Sequence, residues 1–156
     1  MGDLDLPDLR DGTFDRLATV TEAERTALLI VRFEALALVT ETERRQQCRT
    51  MISSLDRLNA LELAEVTASR IAALLLMDEA AARVVGRSYE AVLDAMPAET
   101  GRSNAVAAQP AIYRLPPAAV SRLRAIAPRL LVRATQPIST TGDVPAPPAR
   151  PNGTRR

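Results

Sequence analysis

The chain has 156 residues with a formal net charge of +1, contains no histidine and has a single cysteine, Cys48. The lack of histidine excludes ordinary zinc sites and histidine-based catalytic triads, and one cysteine excludes an internal disulfide. Hydrophobic residues make up 47% of the chain but aromatic residues only 3%, and this balance of Leu, Ala, Val and Ile favours helices over strands and predicts an all-α fold.

Residues 1–19 are predicted to be a flexible acidic leader. The run Asp3-Leu4-Asp5-Leu6 alternates acidic and apolar residues, which is typical of a solvated segment or of a short peptide that becomes ordered on a partner. No secretion signal is predicted, because no basic stretch is followed by an apolar run. The longest apolar stretch, 27–39, is interrupted by Arg32 and Glu34 and is shorter than the about 20 residues of a membrane span. The chain is therefore predicted to be cytoplasmic, without a membrane span.

The first helix is predicted to begin after Thr21. Thr21 and Glu24 form a capping box, in which each side chain accepts a hydrogen bond from the backbone N–H of the other residue. Apolar residues then recur at helical spacing, among them Leu29, Phe33 and Leu36. A helix with so much apolar surface is expected to be buried on more than one side.

A long window without helix breakers follows. Neither glycine nor proline occurs between Gly12 and Gly86, so the first helix is predicted to continue to about Thr50, with the chain turning near Thr50–Ser54. The next apolar series keeps the helical rhythm over several turns. Its members are Met51, Leu55, Leu58, Leu61, Ala64, Ala68, Ile71 and Leu75.

A third helical segment is predicted from Ala80 to Met96, where Gly86 either ends the helix or kinks it. One helix across the whole window could not bury its own apolar stripes. Residues 20–96 are therefore predicted to form a long antiparallel helical hairpin or a small helical bundle, or to pair as long helices in a dimer.

The remaining chain is rich in proline and arginine. Residues 97–134 are predicted to be a Pro-interrupted basic region with one short helix, which runs from Pro117 to about Ala127 because proline suits the first helical position. Pro128 is expected to end that helix. Residues 135–156 have no core-forming pattern and are predicted to be a disordered tail.

The balance of acidic and basic residues also changes near the start of this region, after residue 99. Residues 1–99 contain 18 acidic residues and 11 arginines, whereas residues 100–156 contain one acidic residue and nine arginines. Such asymmetry indicates either an anionic partner or a basic segment that folds back on the acidic body. Nucleic acid is one such partner, contacted through residues 102–133.

The sequence contains no recognisable catalytic motif. Cys48 lies among arginines that would lower the pKa of its thiol and make it reactive, although an unreactive helix cysteine is the simpler interpretation. Acidic pairs such as Glu62 with Glu65 are interpreted as solvated faces, because a helical metal site usually needs Glu-x-x-His ligands. We therefore predict no catalytic residues, no cofactor and no metal.

Two segments resemble a known family. Ala23–Leu29 followed by Phe33–Arg44 resembles the first long helix of FlgN-type flagellar export chaperones, with an acidic start, a leucine pair, a Phe-Glu-Ala-Leu block and a charged run. Leu58–Leu63 resembles the Asn-containing start of a later helix in that family, so the resemblance covers about residues 20–75. It implies a small cytosolic helical chaperone that shields the amphipathic terminal helix of a secreted subunit until export.

The sequence thus predicts a non-enzymatic helical adaptor or chaperone. Its partner is an amphipathic helix of another protein, or a second copy of the chain in a homodimer. The alternative is a small regulatory protein that contacts nucleic acid or the transcription machinery through its Arg-rich C-terminal region. The residues predicted to bind a partner are Leu58, Leu61, Ile71, Leu75, Val120, Leu123 and Ile126.

Overall fold

A computed structural model describes residues 14–136, and every regular element in this range is helical. The all-α prediction is confirmed. In chain order the elements are a 3-10 helix (Phe14–Thr19), α1 (Glu22–Leu38), α2 (Glu41–Ser54), a second 3-10 helix (Leu55–Arg57), α3 (Ala60–Leu76), α4 (Glu79–Ala95), α5 (Ala98–Tyr113), α6 (Pro117–Ile126) and α7 (Pro128–Thr135).

The helices repeat with a period of 19 residues. The residue that caps each N-terminus from α1 to α6 recurs at this spacing, at Thr21, Thr40, Asn59, Asp78, Pro97 and Pro116. The first four caps accept a hydrogen bond from the backbone N–H three residues further on, which satisfies a donor that the helix itself cannot. A buried leucine or isoleucine also recurs near the end of each unit, at Leu36, Leu55, Leu74, Leu93, Ile112 and Leu131.

Successive helices alternate between two layers. Helices α1, α3, α5 and α7 pack side by side in the odd layer, and α2, α4 and α6 do so in the even layer. Contacts of α1 with α4 and of α3 with α6 join the layers around one hydrophobic core. Two-layered stacking of two-helix units is the arrangement of a helical-repeat solenoid. Of the three arrangements predicted, the small helical bundle is therefore the one formed.

The first helix ends earlier than predicted. It stops at Leu38, and Val39 is extended, whereas the prediction continued the helix to about Thr50. The reason is a second N-cap, because the Thr40 hydroxyl accepts a hydrogen bond from the backbone N–H of Glu43 at 3.3 Å. A helix start that carries its own cap can thus interrupt a window free of glycine and proline.

The predicted turn near Thr50–Ser54 is also misplaced. Helix α2 continues to Ser54, and the chain turns through the 3-10 helix at Leu55–Arg57. The next helix, α3, is capped by Asn59, whose side chain forms a capping box with Glu62. The apolar series from Met51 to Leu75 therefore belongs to two helices and the turn between them.

The region 97–134 contains three helices instead of one. Helix α6 confirms the predicted short helix, but α5 replaces a predicted loop, and Pro128 begins α7 while it ends α6. Proline is accommodated at these starts because the first N–H groups of a helix have no intrahelical acceptor. Since α5 packs on α3 and α6 packs on α4, these helices share the core of the preceding ones.

The predicted leader is partly folded. Residues 14–19 form the first 3-10 helix, with Phe14 and Leu17 buried, and the Phe14 N–H donates to the hydroxyl of Ser54 at 3.2 Å. The prediction of a flexible segment is therefore wrong for these six residues. The rest of the leader, 1–13, and all but the first two residues of the predicted tail lie outside the described residues.

Candidate partner-binding site

Two buried arginines make equivalent networks one repeat apart. The Nε of Arg44 donates to the carbonyl of Leu36 at 2.8 Å, its Nη2 to Val39 at 2.7 Å and its Nη1 to the hydroxyl of Ser88 at 3.5 Å. The same three atoms of Arg25 bond Leu17, Val20 and Ser69. Each guanidinium thus satisfies the carbonyls at the end of the preceding helix, where a cation is favoured. These arginines are part of the repeat framework.

A third buried arginine joins three helices. Arg70 is 4% exposed, and its Nη1 hydrogen bonds with the Tyr89 hydroxyl and, at 3.3 Å, with Oδ1 of Asn104. The guanidinium carbon also lies 4.3 Å from the centroid of the Tyr89 ring, a cation–π contact. Burial raises the pKa of Tyr89, and the charge of Arg70 opposes that rise. The cluster ties α3, α4 and α5 together.

Cys48 is not the reactive thiol that its neighbouring arginines suggested. The residue is fully buried, and burial raises the pKa of its thiol to about 11, although Arg44, Arg70 and Arg32 oppose the rise. The thiol is therefore protonated at neutral pH, and the thiolate is the nucleophilic form. The burial of Cys48 supports the simpler interpretation of an unreactive helix cysteine, because desolvation outweighs the nearby positive charges.

The acidic side chains do not gather into a cation site. Within residues 14–136 no group of three or more Cys, Asp or Glu side chains could hold a metal ion. Glu62, considered in sequence as one of a metal-binding pair, accepts a hydrogen bond from the backbone N–H of Asn59 at 3.2 Å. It serves the start of α3.

Part of the basic region folds back on the acidic body. Arg129 and Arg133 both form ion pairs with Asp94 on α4, and Arg122 donates a hydrogen bond to the carbonyl of Met77. These contacts follow one of the two interpretations of the charge asymmetry. They also occupy three of the arginines that were expected to be available to nucleic acid.

A cleft of about 330 Å³ lies between α4, α5 and α7, near the basic end of the array. Arg102 and Arg133 line it together with Asp94. Since Asp94 already pairs with Arg133, the carboxylate reduces the positive potential of the cleft. The cleft is therefore a weaker candidate for anion binding than its arginines alone would indicate.

Most of the predicted partner-binding residues lie inside the protein. Ile71, Leu123 and Ile126 are at most 1% exposed. A second group is partly buried against the core, and its members are Leu58, Leu75 and Val120. Only Leu61 is well exposed, at 69%. The prediction fails for the buried residues because apolar stripes at helical spacing mark the faces that each helix turns toward its neighbours.

Large exposed apolar side chains are concentrated on the odd layer. Those of the odd-layer helices are Val31, Leu38, Leu61, Leu76, Val106, Tyr113 and Val132, each at least 53% exposed. The even layer contributes Val84, which is 37% exposed. None of the helices within residues 14–136 has the length and apolarity needed to cross a bilayer. The difference in exposed apolar side chains between the two layers therefore identifies the exterior of the odd layer as the candidate binding surface.

The outward positions of α1, α3 and α5 form this surface, which we call the odd face. It comprises Ala23, Ala27, Ile30, Glu34, Leu38, Leu61, Glu65, Ala68, Ala72, Leu76, Glu99, Ser103, Val106, Pro110 and Tyr113, all exposed or half-buried. Equivalent members are 38 residues apart, one two-helix unit, except at the end of α5, where Tyr113 is included and the equivalent of Leu38 and Leu76 is the exposed Arg114. Eleven of the fifteen are apolar, three are glutamates and none is basic.

The matching outward positions of α2, the turn after it and α4 have a different chemistry, and we call them the even face. They are Thr42, Gln46, Arg49, Ser53, Arg57, Ala80, Val84, Arg87, Ala91 and Ala95. Three arginines and no acidic residue occur among them, and the α2 positions are entirely polar. The two faces of the protein are thus distinguished both by apolarity and by the sign of their charges.

The odd face is not visible within any single helix of the sequence. Its alanines and glutamates interrupt the leucines, so no helix shows a continuous outer apolar stripe. Aligning the chain on its 19-residue caps places the outward positions of alternate units together, and this periodicity is the feature that would have revealed them.

Comparison of the chain with protein-family models, with curated proteins and with solved structures gives no match. The functional assignment therefore depends on the chemistry of the odd face.

Proposed function

We propose that the chain is a non-enzymatic adaptor or chaperone that binds an amphipathic helix of a partner protein on its odd face. The observation that carries the proposal is the concentration of large exposed apolar side chains on one layer, which holds seven of the eight within residues 14–136. Contiguous apolar patches on a soluble protein commonly mark interaction sites, and helical arrays commonly bind partners along an extended surface. Flagellar or secretion export, implied by the FlgN-type resemblance, is the form of this function in which the client is a secreted subunit.

The middle helix of the odd layer supports a helical occupant. Along α3, Leu61 and Leu76 are both 69% exposed, and the half-buried Ala68 and Ala72 lie between them. Small side chains let a second helix approach closely, while the leucines at the two ends provide apolar contacts. Fifteen residues at 1.5 Å per residue separate the leucines by about 22 Å, which corresponds to a partner helix of about four turns.

Site-specific photo-crosslinking in the native cell tests this function. A photoreactive amino acid is placed at Leu61 or Leu76 on the odd face, with Arg49 and Arg87 on the even face as matched controls. Mass spectrometry of the joined peptides is expected to identify an amphipathic helical segment of another protein at the two leucine positions only. Equal crosslinking from both faces, or crosslinks only between copies of this chain, would contradict the proposal.

Contact with nucleic acid is the second candidate. It is supported by the exposed arginines Arg102, Arg114 and Arg124, in a stretch where residues 100–136 contain no acidic side chain. Binding of this kind weakens steeply with salt because counterions are released from the phosphates. Filter binding with duplex DNA and RNA from 50 to 200 mM salt, roughly the range over which such contacts weaken most, distinguishes it from binding on the odd face.

A further inference from the structure

Three glutamates interrupt the apolar surface of the odd face. Glu34, Glu65 and Glu99 contribute one carboxylate from each of α1, α3 and α5, and all three residues are exposed. They step across the layer from the C-terminal half of α1 to the first turn of α5. The exposed Arg114 borders this surface just after α5, at the position equivalent to Leu38 and Leu76, so the carboxylates outnumber its positive charge three to one.

The fold itself does not employ these carboxylates. Among residues 14–136, the glutamates that form hydrogen bonds or ion pairs are Glu24, Glu41, Glu43, Glu62, Glu79 and Glu90. None of the three on the odd face has such a partner within the described chain. Glu34 and Glu65 also lie beyond the first helical turn, where a carboxylate would complement the helix dipole. Their chemistry is therefore available to a molecule outside the chain.

We propose that the helix bound on the odd face is cationic, with lysine or arginine residues flanking its apolar stripe. This inference rests on the proposed function and specifies the chemistry of the partner. The apolar side chains of the odd face bury the stripe, and the three carboxylates pair with cations along its edge. Complementary charge of this kind orients a partner and selects it against an anionic helix of equal apolarity.

A second copy of the chain is a poorer match for the odd face. Its even face provides the required positive charge through Arg49, Arg57 and Arg87. The same face presents Thr42 and Gln46 on α2, where an amphipathic helix would present apolar side chains. Self-association through these surfaces would therefore satisfy the carboxylates, but the exposed leucines would meet only the polar positions of α2 and the alanines and Val84 of α4.

The test uses two synthetic helical peptides with the full chain. Both have the same leucine–alanine stripe of about four turns, flanked by lysine in one and by glutamate in the other. Fluorescence anisotropy is expected to show that the lysine peptide binds about tenfold more tightly at 150 mM salt, since several exposed charge pairs each contribute modestly. Equal binding of the two peptides, or preference for the glutamate peptide, would overturn the inference.

Charge-reversal variants locate the effect. The triple variant Glu34→Lys, Glu65→Lys and Glu99→Lys is expected to lose the preference and to favour the glutamate peptide. The matched control is Glu41→Lys, Asp56→Lys and Glu79→Lys, which makes the same change of net charge at exposed positions outside the odd face. Circular dichroism confirms that each variant is helical. An equal effect of the two triple variants would mean that net charge alone governs binding and would also overturn the inference.

A further double variant separates this inference from the proposed function. Replacing both Leu61 and Leu76 with glutamine removes the apolar contacts of α3 and leaves the carboxylates in place. If this variant still forms the cellular crosslinks from other odd-face positions, the apolar contacts of α3 do not hold the partner, and the proposed function as stated is disproved. If it loses them while the peptides show no charge preference, the function stands and the cationic partner is disproved. A homodimer seen by light scattering that the Leu61→Gln, Leu76→Gln variant converts to a monomer would overturn both.

Discussion

A buried arginine in this chain replaces the missing hydrogen-bond partners of a helix end. Arg44 donates to the carbonyls of Leu36 and Val39, which have no donor within α1. Replacing Arg44 with methionine preserves much of the apolar volume but removes these donors. We expect the free energy of unfolding to fall by about 2–4 kcal/mol, measured by urea denaturation.

The neighbouring residue provides the control for this substitution. Arg45 is exposed and forms an i,i+4 ion pair with Glu41 at 2.6 Å. Arg45→Met should change the free energy of unfolding by about 0.5 kcal/mol or less, because exposed ion pairs contribute little. Comparable losses in the two variants would show that the bonds of Arg44 do not stabilise the repeat.

Two helical glycines are expected to respond to alanine with opposite signs. At Gly86 an added Cβ would lie 2.5 Å from the carbonyl oxygen of Ile126, so α4 and α6 would have to separate. At Gly101 the nearest atom that such a carbon would meet is Nη1 of Arg133, 4.0 Å away. Gly86→Ala should therefore destabilise the protein by about 1–3 kcal/mol, and Gly101→Ala should stabilise it by about 0.5–1 kcal/mol.

Thermal unfolding of the two glycine variants measures this difference. Gly86 was expected from sequence to end or kink a helix, but α4 continues through it. The close approach of α6 explains the glycine instead. A stabilised Gly86→Ala variant would contradict that explanation and would leave helix propensity as the dominant effect.

At the scale of elements, α7 depends on a side chain from another helix. Its N-terminus has no local cap, because Ala127 and Pro128 offer no side-chain acceptor. Oε1 of Glu90, on α4, accepts the backbone N–H groups of Arg129 at 2.8 Å and of Leu130 at 3.0 Å. The carboxylate also complements the dipole of α7.

Removing this cap should loosen α7 while the other helices persist. Glu90→Leu leaves two buried donors without an acceptor and is expected to cost about 1–3 kcal/mol. Hydrogen exchange at the Leu130 amide should accelerate correspondingly. Glu90→Gln retains one acceptor oxygen and should have a smaller effect. Unchanged exchange in the leucine variant would show that packing alone holds α7.

The sequence predicted those helices whose starts and ends are marked by a local signal such as a capping box or a proline. The capping box at Thr21 was recognised, and the predicted segments at 80–96 and 117–127 correspond closely to α4 and α6. The start of α2 at Thr40 was not predicted, because neither glycine nor proline marks it in the sequence. Helix α5 was missed because tertiary burial, which includes Gly101 and Ala108, outweighs the weak helix propensity of its first half.

At the scale of the molecule, the C-terminal helices complete the core of the preceding ones. Contacts that cross the expected boundary at residue 97 include those of Asn104 with Arg70, Ile126 with Gly86, and Leu130 with Glu90. A chain that ends at Met96 would expose the inner surfaces of α3 and α4. The division into a helical body and a separate basic region therefore does not describe the folded protein.

Truncation tests this dependence. A chain ending at Met96 is expected to unfold at lower temperature and to bind a hydrophobic dye, because the apolar surface normally covered by α5, α6 and α7 becomes exposed. A chain ending at Gln136 retains these helices and should retain a cooperative thermal transition, followed by circular dichroism. Similar stability of the two truncated chains would show that α1 to α4 fold independently.

The candidate site follows from the whole arrangement more than from any one segment. Regular apolar spacing identified residues that pack inward, such as Ile71 and Leu123, and these are the strongest sequence pattern in the chain. Outward residues do not pack against a neighbouring helix, so they need no continuous apolar spacing. They form a common surface only when alternate helices are placed side by side. Leu61 was predicted as a member of the same apolar series, but its side chain is exposed.

Because successive helices alternate between the two layers, the layer of each helix depends on whether an odd or an even number of helices precedes it. Removing or duplicating one 19-residue unit would send each later helix to the opposite layer and would place the apolar exteriors of odd-layer helices on the basic side of the protein. A change of 38 residues would return each helix to its own side. Length variants that preserve the odd face should therefore differ by two helices at a time. Each such addition lengthens the odd face by one helix and the even face by one helix.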